Sequence, residues 1–106
     1  MYLVRRTFKT KPGEARRVAT LVSKQVQIFH EEGHREAFRV AYNDRTCPGE
    51  QNVVVLEWTT DAFQSPYRDG NEMPPAAMQA GAAFQPYIEG TYIEFWELLT
   101  PSKMLE

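Results

Sequence analysis

Hydrophobic and polar positions repeat with two different periods along this chain. From Tyr2 to Thr10 they alternate every second residue, with Tyr2, Val4, Arg6 and Phe8 on one side and Leu3, Arg5 and Thr7 on the other. That period predicts a strand. Lys11-Pro12-Gly13-Glu14 breaks it; proline suits the start of a helix and Glu14 suits its positive end. From there to about Glu32 the period lengthens. Ala15, Val18, Val22, Val26 and Phe29 form an apolar stripe, widened by Leu21 and Ile28, while Arg16, Arg17, Lys24, Gln25 and Glu31 make the wet side. Gly33 is the expected stop, since glycine takes the left-handed conformation that ends helices.

A second strand is expected over about Arg35 to Asn43, with Phe38, Val40 and Tyr42 opposite Ala37, Arg39 and Ala41. Pro48-Gly49 marks a turn, and a third strand covers Asn52 to Trp58. Thr59-Thr60-Asp61 offers an N-cap and first-turn acid for a short helix starting at Ala62 and Phe63. Ser65 to Pro75 is rich in proline and reads as irregular. A helix resumes near Pro75, with Ala77, Ala80, Phe84 and Ile88 at helical spacing and Pro86 weakening its last turn. Gly90 to Leu99 is the last strand, apolar or aromatic on both sides.

Strand, helix, strand, strand, helix, strand is the order of a split βαβ, or ferredoxin-like, α+β sandwich: a four-stranded antiparallel sheet with both helices on one face. The helices are expected to cover Phe38, Val40, Tyr42, Ile93, Phe95 and Leu99. The opposite face is expected to hold Arg39, Tyr92, Glu94, Trp96 and Leu98, together with Val4, Arg6, Phe8, Val53, Val55 and Glu57. Such a face is too apolar to stay wet, so a homodimer packed sheet to sheet is expected, with a cavity between the sheets.

The 106 residues suit one domain. A net charge of −2, with scattered basic residues and no RNA-binding aromatic motif, argues against a nucleic-acid partner. No apolar run approaches the roughly 20 residues that span a membrane. The chain passes straight into a strand at Tyr2, so no signal peptide is expected, and Cys47 is a lone cysteine. A cytoplasmic location is the expectation.

The run Val54-Val55-Leu56-Glu57-Trp58-Thr59-Thr60-Asp61-Ala62-Phe63, with Lys11-Pro12-Gly13 and the order of elements, resembles the dimeric α+β barrel superfamily, and in particular its antibiotic-biosynthesis-type monooxygenases. The resemblance covers nearly the whole chain. It implies the fold and a small-molecule site, but the superfamily spans cofactor-free oxygenases, haem-degrading oxygenases, isomerases, dehydratases and proteins without known activity. The haem-degrading members use an asparagine in strand one, a tryptophan early in helix two and a histidine later in it. Here those places fall on Arg6 or Thr7, on about Pro66, and on no histidine beyond His34. No cofactor is therefore expected. In related folds the Ser65 to Pro75 segment lies near the cavity mouth, which makes Tyr67 and Arg68 candidate ligand contacts. The plainer reading of that segment is a connector that breaks the second helix.

His30-Glu31-Glu32-Gly33-His34 matches H-E-x-x-H, in which two histidines one turn apart hold zinc and the glutamate deprotonates a zinc-bound water. Gly33 stands inside the motif and no further histidine offers a third ligand. The expectation is a polar helix end without metal; a zinc hydrolase at His30, Glu31 and His34 is the third-ranked reading.

The leading candidates are the charges expected on the open face, Arg6, Arg39, Glu57 and Glu94, as catalytic groups, with Trp58, Tyr92 and Trp96 as ligand contacts. In that reading an arginine holds an enolate oxygen, a glutamate moves a proton and the aromatics stack on a ring. The same four charges also read as cross-strand ion pairs that fix register, which is the commoner role of such groups. The expected function is a small-molecule enzyme of the cofactor-independent monooxygenase or isomerase kind, acting on an aromatic or polyketide-like compound. The alternative is a non-catalytic dimeric binding or stress-associated protein.

Overall fold

The computed structural model describes residues 1–31, 37–63 and 75–106. The expected order of elements is present: β1 (Tyr2–Thr10), α1 (Ala15–Glu31), β2 (Phe38–Asn43), β3 (Val53–Thr60), α2 (Pro75–Phe84) and β4 (Ile88–Glu97). The strands form one sheet in the order β2-β3-β1-β4, antiparallel throughout. Both helices lie on one face, α1 over β2 and β3 and α2 against α1. This is the α+β ferredoxin-like arrangement expected from the sequence. Gly33, His34, Arg35, Tyr67, Arg68 and the side chain of Ala77 lie outside the described residues.

The helix stripe settles the packing. Ala15, Val18, Val22, Val26 and Phe29 are all buried, with Ala19 beside them. They meet Phe8, Val54 and Leu56 from the sheet and Phe84 from α2. The Phe8 and Phe84 rings stand edge to face with centroids 5.6 Å apart, a favourable geometry for aromatic quadrupoles. Where α1 and α2 approach, Gly81 is buried, and a Cβ there would stand 2.5 Å from Gln25 Nε2. Gly13, at φ +78°, turns the chain from β1 into α1, and its N–H donates to Asn52 Oδ1. Arg17 ties α1 to the sheet end by donating to the Tyr87 hydroxyl at 3.2 Å and stacking over its ring.

Three local expectations are corrected. Asp61 to Phe63 are not helical: β3 runs on to Thr60, whose hydroxyl donates to the Ala62 carbonyl instead of capping a helix. The turn around Pro86 is a separate 3-10 turn, Gln85–Tyr87, so β4 starts at Ile88 rather than Gly90 and ends at Glu97 rather than Leu99. The phase of β1 is reversed. Val4 and Phe8 are buried on the helix side, where they pair with Trp58 and Val54. Arg6 stands with them, level with Leu56 and Ile93. Each side of β1 mixes apolar residues with one arginine, so alternation alone does not orient it; burial of Val4 and Phe8 under the helices does.

Candidate functional site

Residues directly opposite each other in an antiparallel pair share a face. On the face without helices, Arg39 pairs with Glu57, Glu57 with Arg5, and Arg5 with Glu94. One row therefore crosses all four strands with alternating charge. Of the four predicted catalytic residues, Arg39, Glu57 and Glu94 share this row; Arg6 does not, and Arg5 occupies the place expected for it. Glu57 is nearly buried and collects both arginines. Arg5 donates to Oε2 through Nε at 3.3 Å and Nη2 at 3.1 Å, while Arg39 Nε lies 3.3 Å from Oε1. Glu94, at the other end, makes no ion pair or side-chain hydrogen bond among the described residues.

Tyr92 and Trp96 flank Glu94 on the same face, level with Thr7 and Leu3. Both are exposed, at 44% and 48%. Trp58 belongs to the helix side, opposite Val4 and Phe38, and packs against the core; its expected place beside the open-face charges is corrected. At the β2 end of the open face, Leu3, Ala37, Arg39, Glu57 and Thr59 line a shallow hollow of about 380 Å³, which Phe38 and Trp58 also border.

Arg6 occupies a different setting on the helix side. Its guanidinium is half-buried and donates from Nη1 to Thr91 Oγ1 at 3.3 Å. The Thr91 hydroxyl is itself oriented, since it donates to the Thr7 carbonyl at 2.9 Å. No carboxylate pairs with Arg6 among the described residues, and burial lowers its pKa from the ordinary arginine value. Nearby on that side stand Ile93 and a chain of rings: Phe63 lies 4.4 Å from Tyr2 and 4.8 Å from Phe95, centroid to centroid. Ile93, Phe95 and Phe63 keep 41%, 37% and 63% of their surface exposed. A cation with spare donors beside open aromatic surface can hold a planar anion.

Sequence reasoning missed Arg5, Thr91 and Phe63. The signal for Arg5 was its place in β1, which becomes legible only once the strand's phase is known. His30 is exposed in the last turn of α1, its ring edge-on to Phe38 at 6.3 Å. His34 lies outside the described residues, and among those described no three His, Cys, Asp or Glu side chains gather as a metal site. Cys47 is exposed and free. No described helix is long and apolar enough to cross a membrane.

No family model matches the chain, and no curated protein does either. Solved structures do. Protein Atu4242 from Agrobacterium tumefaciens superposes with a TM-score of 0.69 at 18% identity, covering 99% of this chain and 100% of that one. An uncharacterized NIPSNAP domain protein from Burkholderia xenovorans superposes with a TM-score of 0.59 at 20% identity over 100% of both chains. At these identities the likeness establishes a shared α+β fold.

Proposed function

We propose that this chain is a homodimeric small-molecule-binding protein. It takes an aromatic or polyketide-like anion beside Arg6 and acts on it as a cofactor-independent monooxygenase or isomerase. The observation that carries the reading is the half-buried Arg6 guanidinium with only Thr91 as its protein partner among the described residues. A phenolate, enolate or carboxylate oxygen there would accept the donors that Thr91 leaves unused. The exposed surfaces of Ile93, Phe95 and Phe63 would cover the ring. An enolate held by a fixed cation in a partly dry place is stabilised far more than in water.

A second reading, the non-catalytic binding protein, is favoured by the state of Glu57. Its carboxylate is held by Arg5 and Arg39 on the opposite face of the sheet, so it cannot reach a ligand at Arg6. Calorimetric titration with 1-hydroxy-2-naphthoate tests the site, and oxygen uptake with the same compound separates the two readings. Saturable binding that Arg6→Gln weakens at least about tenfold, the cost of one charge-assisted contact, supports the site. Equal binding by both proteins contradicts it.

A further inference from the structure

The chain carries a net charge of −2, yet one flank of α1 is cationic. Arg16 and Lys24 stand on it with Thr20 and Ser23 between them, and the flank forms a hollow of about 450 Å³ with Val40 and Tyr42 of β2. No carboxylate borders that hollow among the described residues. Arg16, Thr20 and Lys24 are exposed, and Tyr42 keeps 47% of its surface, so the hollow opens to solvent. β2 is the outermost strand at its end of the sheet. The hollow is therefore a groove beside a strand edge, with an apolar floor and a basic wall.

Spacing narrows what such a groove can hold. From Arg16 to Lys24 the helix rises about 12 Å, too far for one small anion to bridge. An extended chain matches it: side chains four residues apart on one side of a strand stand about 13 Å apart, and the flexible stems of arginine and lysine absorb the difference. The directions agree as well. The first turns of α1 lie beside Tyr42 and Val40, and His30 in its last turn lies 6.3 Å from Phe38, ring to ring, so helix and strand run side by side in opposite senses. A segment added to the edge of β2 would take main-chain hydrogen bonds from it and turn every second side chain to the face of Val40 and Tyr42, toward the basic wall. A nucleic acid would gain little here, since its affinity grows with the number of cations it meets and this wall has two.

We propose that the groove between α1 and β2 binds an extended acidic peptide segment of a partner protein, which adds as a strand to the edge of β2. Two carboxylates four residues apart meet Arg16 and Lys24, and an apolar side chain midway between them lies on Val40. The recognised pattern is acidic-x-apolar-x-acidic, which reads the same in either chain direction. Arg6 stands on β1, two strands away, so this site depends neither on an anion there nor on the dimer.

Fluorescence anisotropy tests it with a fluorescein-labelled peptide, Gly-Glu-Thr-Val-Thr-Glu-Gly, and a control of the same composition, Gly-Glu-Thr-Val-Glu-Thr-Gly. In the control the two carboxylates fall on opposite sides of an extended chain. The expected result is saturable binding of the first peptide, with the control weaker by at least about fivefold. The double variant Arg16→Gln, Lys24→Gln is expected to bind the first peptide about tenfold more weakly than the parent, the sum of two exposed charge contacts. Both substitutions are at exposed helix positions and glutamine is a good helix former, so circular dichroism should show the variant folded. Absence of saturable binding, equal affinity for the two peptides, or equal affinity of parent and variant would overturn the proposal. So would displacement of the labelled peptide by oligothymidine or phosphatidylserine vesicles but not by its unlabelled form, which would assign the groove to a nucleic acid or a membrane.

Discussion

Arg5 and Glu57 stand directly opposite each other on β1 and β3, and two guanidinium nitrogens of Arg5 converge on one carboxylate oxygen at 3.3 and 3.1 Å. The pair joins the two central strands on the face that carries no helix. Arg39 reaches the other oxygen from the edge strand, but its side chain is 76% exposed, so solvent screens that contact. Glu57→Gln is expected to lower stability by about 1.5–3 kcal/mol, the range for hydrogen bonds to charged groups, and Arg39→Ala by no more than about 0.5 kcal/mol. Urea titration of each variant reads the difference. Equal losses would mean that the edge arginine, not the central pair, holds the carboxylate.

The corrected phase of β1 has its own consequence. Phe8 is 5% exposed and packs on Phe84 beneath the helices. Phe8→Ala is expected to cost about 3–5 kcal/mol, as for buried phenylalanines elsewhere. Thermal unfolding of the variant measures it. A loss under about 1 kcal/mol would be inconsistent with a core position.

Arg6 is expected to serve binding at the expense of stability. Burial lowers its pKa, so charging it is harder in the folded chain than in the unfolded one. Its charge therefore opposes folding at every pH below the folded value, which includes the neutral range. Arg6→Met removes the charge and keeps the length. After allowance for solvent screening, its stability is expected to equal or exceed that of the parent, by at most about 1 kcal/mol, while hydroxynaphthoate binding is lost. Denaturant unfolding and calorimetry on one preparation check both halves. A strongly destabilised variant would mark Arg6 as a structural residue.

At Gly13 the expected effect comes from the backbone alone. The residue has φ +78° and nothing within 4 Å of a Cβ built there. Gly13→Ala should cost about 1–2 kcal/mol, the penalty for an L-residue in the left-handed region, and Gly13→Asn less. Thermal melts of the two variants give the order; an alanine variant as stable as the parent would contradict the turn geometry.

How much of this was legible beforehand follows from the kind of signal each element carries. The α1 stripe was legible in the sequence, apart from Ala19, because Val18, Val22, Val26 and Phe29 leave a helix only one way to bury them. The end of β3 was misread because Thr59-Thr60-Asp61 has capping chemistry, yet Thr60 is held by its strand partner Tyr2. The site suffered most from β1, where an arginine on each side made the two faces look alike. Register placed Arg5, not Arg6, between Glu57 and Glu94. Thr91 and Phe63 could not be found by pattern, since each matters through a neighbour distant in sequence, Arg6 in one case and Tyr2 in the other.

Two roles are proposed for the sheet: its helix-free face would pair with a second copy, and its helix side would hold an anion at Arg6. Native mass spectrometry of the parent protein and of Arg6→Gln, each with 1-hydroxy-2-naphthoate, tests both roles in one measurement. Dimers are expected for both proteins, with one ligand per subunit in the parent and none in the variant. A monomeric parent, or the same ligand count on both proteins, would contradict it.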